Sequence, residues 1–116
     1  MRVLIFSGSH PRHTFVHQEV LSSGAECAAV VMERESLIPQ PPENIDSRDV
    51  QNFIRHFNER DEVERSIFGN KTPQEVFIDV PTLYCIPKML NSKETINFVK
   101  KFDPDLVIIF GVDIIK

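Results

Sequence analysis

Four short apolar runs punctuate the chain, and the stretches between them change to helical or turn-like patterning. Arg2 to Phe6, with VLIF at its centre, predicts a first buried strand, because an unbroken apolar run leaves no side chain facing water. Cys27 to Met32 (CAAVVM) predicts the second strand, and Thr82 to Ile86 (TLYCI), closed by Pro87, the third. Leu106 to Phe110 is the fourth. It is rich in branched residues and is expected to be covered on both faces, as in the middle of a parallel sheet.

Helical spacing fills the gaps. A helix beginning near Thr14 is expected to carry Val16, Val20 and Leu21 toward the core and to stop at Gly24, a residue suited to the left-handed position past a helix end. From about Arg48 to Phe68, Val50, Phe53, Ile54 and Phe57 keep an i, i+3, i+4, i+7 stripe that Ile67 and Phe68 resume. The other side of that helix, with Glu59, Arg60, Asp61, Glu62, Glu64 and Arg65, reads as a solvated face in which Asp61 and Arg65 form an i,i+4 pair. Asn91, with Glu94 three residues later, predicts the start of a last helix through Ile96, Val99 and Phe102. Lys100 and Lys101 suit its dipole, and Asp103-Pro104 ends it. Pro39, Pro41 and Pro42 mark an extended loop. Strands alternating with helices predict an α/β fold, a Rossmann-like doubly wound parallel sheet in a single domain over residues 1–116. The fourth strand falls so near Lys116 that the sheet is expected to be the N-terminal portion of a larger domain, truncated after that strand.

Composition changes this picture little. The 116 residues are 41% hydrophobic and 26% charged, as soluble globular domains are. A formal net charge of −4 provides no electrostatic footprint for nucleic acid or acidic lipid. No run approaches the roughly 18 apolar residues that span a bilayer, and MRVLIF lacks a signal-peptide pattern. A cytoplasmic protein is expected, with Cys27 and Cys85 as reduced, buried core thiols.

The candidate chemistry sits after the first and fourth strands, where open parallel sheets bind ligands. The loop Ser7-Gly8-Ser9-His10-Pro11-Arg12-His13 combines free backbone N–H groups, a following helix N-terminus and side-chain donors from His10, Arg12 and His13, which is an anion cradle. With one glycine, it lacks the dinucleotide fingerprint G-x-G-x-x-G. His13 and His17 are four apart, yet no third ligand accompanies them, so no metal is expected and both read as cap or surface histidines. Asp113 lies just past Gly111 and reads as a turn cap. Ser7 and Ser9 lack the G-x-S-x-G elbow of a nucleophile.

Three stretches resemble folate-dependent formyltransferases. They are Arg2-Val3-Leu4-Ile5-Phe6-Ser7-Gly8 followed by the helix ending Glu19-Val20-Leu21, the middle section with an extended loop and a short strand before a helix, and the closing Phe102-Asp103-Pro104-Asp105-Leu106 through Phe110-Gly111. The resemblance implies 10-formyltetrahydrofolate as formyl donor and an amine acceptor: an amino sugar, another small amine or, less favoured by the acidic charge, methionyl-tRNA. Gly8, Ser9, His10 and Arg12 would meet the acceptor, although the Gly-Ser-Asn-like form of the glycinamide ribonucleotide branch is replaced here by Gly8-Ser9-His10-Pro11. Phe110, Gly111, Val112, Asp113 and Ile114 would line the folate pocket, largely through backbone groups, with Asp113 at its rim. The family's Asn-x-His motif occurs nowhere in the sequence, so the implied role is binding, with no catalytic residue. A non-catalytic ligand-binding module is the rival expectation.

Overall fold

A computed structural model describes residues 1–34 and 40–116; of the three prolines expected to form an extended loop, Pro39 lies outside this range. Strand β1 (Arg2–Gly8) leads into helix α1 (Pro11–Leu21) and strand β2 (Glu26–Met32). Helix α2 (Ser47–Phe68), the single turn α3 (Pro73–Val76), strand β3 (Thr82–Cys85), helix α4 (Lys93–Phe102) and strand β4 (Leu106–Phe110) complete the order. The four strands are parallel, in the order β3-β2-β1-β4. This is an α/β sheet with helices on both faces.

Burial on both faces accounts for the uninterrupted apolar runs of β1 and β2. Val3, Ile5, Cys27, Ala29 and Val31 point to the side covered by Val20 and Leu21 of α1 and Val76 of α3. Leu4, Phe6, Ala28, Val30 and Met32 point to the side covered by Phe98, Val99 and Phe102 of α4. Every one of these strand residues is buried.

Strand β4 departs from its expected place. It pairs with β1 and forms the end of the described sheet, and Leu106, Val107, Ile109 and Phe110 are each about two-fifths to one-half exposed. An apolar run identifies a strand that wants cover on both faces, but the run itself does not say which neighbours provide it. Helix α1 also differs. It starts three residues earlier than expected, at Pro11, and buries Pro11, Thr14 and His17 while Val16 is exposed. The spacing 11, 14, 17 is helical, but two of its three members are polar, so a hydrophobic stripe could not reveal it.

Smaller differences follow from local bonding. The cap of α4 is Ser92, whose side chain accepts from the Thr95 N–H, rather than Asn91. Asn91 instead donates to the Ile114 carbonyl and accepts from the Lys116 N–H, tying down the segment after β4. The turn α3 was not expected, although Thr72 and Glu75 form a capping box with Pro73 in the first turn. It delivers Phe77, 2% exposed, to the core. Cys85 is half-buried rather than core, whereas Cys27 is buried; both are free thiols.

Truncating side chains tests the position of β4. Ile5→Ala, at a fully buried site, is expected to cost roughly 2–5 kcal/mol, whereas Ile109→Ala at the exposed strand costs less than about 1 kcal/mol. Urea unfolding of both variants measures the difference; equal losses would return β4 to a buried position.

Candidate functional site at the carboxyl edge of β1 and β4

The order β3-β2-β1-β4 reverses at β1, because the chain steps outward one way to β2 and β3 and then returns to the other side with β4. A crevice opens outside the carboxyl ends of strands at such a reversal. The register pairs Ser7 with Phe110, so the loop after β1 and the loop after β4 leave the sheet side by side. Both sets of residues singled out in the sequence therefore meet at one edge of the sheet.

His13 occupies the space between the two loops. A Cβ placed on Gly8 would collide with its Nδ1 and lie 2.5 Å from the Gly111 carbonyl oxygen. A Cβ on Gly111, whose φ is +85°, would lie 2.5 Å from the His13 Cγ. Two glycines thus form a slot for one imidazole. Gly111 is additionally required by its left-handed backbone, which a side chain would strain. The ring meets Phe110 edge-on at 5.3 Å and His10 at 6.0 Å between centroids.

His10 closes the start of α1. Its Nδ1 accepts from the Arg12 N–H at 3.0 Å, so its Nε2 carries a proton and donates to Asp61 at 2.7 Å. Asp61 also accepts from Arg65 at 2.8 Å. One nitrogen of the Arg12 guanidinium donates to both Glu64 oxygens at 2.8 Å, and Glu64 accepts from Arg60 at 2.9 Å. Asp61 and Glu64 therefore hold α2 to the loop, and the expectation of a solvated acidic face is corrected for these two residues. Burial pushes both carboxyls up, but bonds from His10 and Arg65 to Asp61, and from Arg60 and Arg12 to Glu64, outweigh it and leave both below the ordinary range. The side chains expected to cradle an anion are engaged by the protein's own carboxylates.

The other expected residues are distributed around the rim. Ser9 is half-buried in the loop, Val112 packs beneath α4, and Ile114 is 78% exposed. Asp113 is ion-paired with Arg34. A cleft of about 260 Å³ runs beside this segment between α4 and β4, walled by Phe6, Leu90, Val99, Val107 and Ile109.

Sequence reasoning treated His13 and His17 as peripheral, and the structure corrects this. His17 is fully buried against Phe77 and Phe110, with no hydrogen bond to either ring nitrogen. Burial lowers its pKa to about 4, and the Phe110 backbone offsets part of that without meeting hydrogen-bond geometry. His13 also falls to about 4, through burial first, then the Arg12 charge and His10. Its Nε2 lies 3.3 Å from Arg12 Nη2, which can only donate, so the proton sits on a buried Nδ1 that has no partner. The crevice therefore presents a neutral imidazole. Among the described residues no cluster of three or more His, Cys, Asp or Glu side chains is placed to hold a metal ion, and no helix is long and apolar enough to cross a membrane.

The two depressed histidines make folding acid-sensitive. Each binds its proton more readily unfolded, near 6.5, than folded, near 4, so stability is full above pH 6.5 and declines toward pH 4. His17 alone accounts for about 3 kcal/mol of that decline. In a urea series across this range, His17→Phe should flatten the curve; an unchanged slope would contradict buried neutrality. The glycine slot has its own test. Gly8→Ala is expected to destabilise by about 1–3 kcal/mol, and adding His13→Ala should recover part of it, a coupling that independent sites would not show.

Comparison with protein families, with characterised proteins and with solved structures finds no match to this chain.

Proposed function

We propose that this chain forms the ligand-binding side of a 10-formyltetrahydrofolate-dependent formyltransferase site, which moves a formyl group to an amine. The observation that carries the reading is the meeting of the loops after β1 and β4 at the strand-order reversal, with Gly8 against Gly111 and a neutral His13 between them. The donor belongs on the β4 side. Exposed Phe110 and Ile114 flank the turn at Gly111, and the apolar cleft beside them extends a surface on which a flat heteroaromatic ring can lie.

The acceptor belongs on the β1 side, over Gly8 and Ser9. His10 and Arg12 shape this side, His10 bonded to Asp61 and the Arg12 charge already balanced by Glu64. An uncharged or cationic amine fits that environment better than a polyanion, and the net charge of −4 points away from tRNA. Neutral His13, its Nε2 engaged by Arg12 and its Nδ1 buried, spaces the two loops and brings no charge to the acceptor side. The sequence holds no Asn-x-His pair to stabilise the oxyanion of formyl transfer, so binding and orientation are the roles assigned to these residues. A ligand-binding module that performs no chemistry is the second reading, favoured by that same missing pair.

Calorimetry with tetrahydrofolate and 10-formyltetrahydrofolate tests the proposal. Both should bind, and Gly111→Val, checked for retained folding by circular dichroism, should abolish binding. Absence of folate binding would overturn the assignment, and preferential binding of a different small molecule at the same glycines would favour the second reading.

A further inference from the structure

Among the described residues, the hydrogen bonds and aromatic contacts that tie helix α2 to the rest of the chain come from its C-terminal half. Asp61, Glu64 and Phe68 in its C-terminal half meet His10, Arg12 and Phe15 of the loop and α1, with the Phe15 and Phe68 rings 5.3 Å apart. At 3.6 residues per turn, Val50, Phe53, Ile54 and Phe57 lie on the same face, one to three turns nearer the N-terminus. None of these four is buried, and Ile54 is 43% exposed. The Phe53 and Phe57 rings lie against each other at a tilt, with centroids 4.6 Å apart. The radius of gyration is 16.2 Å, with extents of 51 × 31 × 18 Å, against about 13 Å for a compact chain of 100 residues. Exposed Ile54, with half-buried Val50, Phe53 and Phe57 beside it on one helix face, marks an interaction surface.

We propose that this face binds a second copy of the same chain, with the two α2 helices antiparallel. Charge selects both the partner and the direction. Asp49, His56 and Arg60 stand at i, i+7 and i+11, which places them along one flank of the apolar stripe. A parallel copy would turn this flank toward the opposite flank of the partner helix, so Asp49 would not meet its basic counterparts. An antiparallel copy sets Asp49 against Arg60 and His56 of the partner subunit, twice by symmetry, while the apolar stripes face each other. A membrane surface is disfavoured. The helix carries five carboxylates (Asp49, Glu59, Asp61, Glu62, Glu64) against four arginines (Arg48, Arg55, Arg60, Arg65), whereas interfacial helices are rich in basic residues. The contact leaves the crevice at β1 and β4 untouched and does not depend on what that site binds.

Sedimentation velocity on the full chain tests this. An interface below about 1,200 Å² is of the weak class, so the dimer is sought at about 100 µM protein. The wild type should be dimeric there, and Ile54→Asp monomeric with an unchanged helical spectrum. Asp49→Arg should weaken the dimer by about tenfold, and Asp49→Arg combined with His56→Asp, which leaves the Arg60–Glu64 bond in place, should restore it, a rescue that damage to folding cannot produce. A wild type monomeric at that concentration, or a dimer indifferent to both the Ile54 change and the charge exchange, would overturn the proposal.

Discussion

The wedging of one imidazole between two glycines holds the candidate site together. Parallel register brings Ser7 level with Phe110, and the chain must leave the sheet at both places within a few ångströms. Gly8 and Gly111 supply the room, and His13 fills it. Packing of this kind is unforgiving, because protein interiors are filled to crystal-like density and a single added carbon must displace something. The slot also determines chemistry: the ring it holds is desolvated and neutral.

Electrostatics then attach α2 to this centre. His10 and Arg12 are oriented by Asp61 and Glu64, which are themselves held by Arg65 and Arg60. Exposed ion pairs contribute little singly. Here the carboxylates are mostly shielded, each has two donors, and a donor removed would leave a partly buried charge unmatched. The same residues that a sequence reader would assign to a phosphate are committed to the fold. This narrows what the loop after β1 can hold.

The fold was largely legible in the sequence. Strand runs, the helix from Ser47 to Phe68 and the stop at Asp103-Pro104 follow from periodicity and backbone chemistry, which act locally. Three features were not legible, for related reasons. The exposed position of β4 depends on neighbours in space, which an apolar run does not name. The inward face of α1 is built from Pro11, Thr14 and His17, so a hydrophobicity pattern pointed to Val16 instead. Asp61 and Glu64 look like any other charges on a solvated helix until α1 is placed beneath them. The crevice residues were found from the loops, but their central group, His13, was set aside because its importance lies in Gly8 and Gly111 on either side.

Imidazole proton resonances followed by NMR against pH address the slot directly. His13 and His17 are expected to keep the shifts of neutral rings through pH 6.5 and to titrate only toward about pH 4, if the chain is still folded there. Titration of His13 near 6.5, as for a freely solvated ring, would mean that it is not held between the glycines, and the account of the crevice would fail.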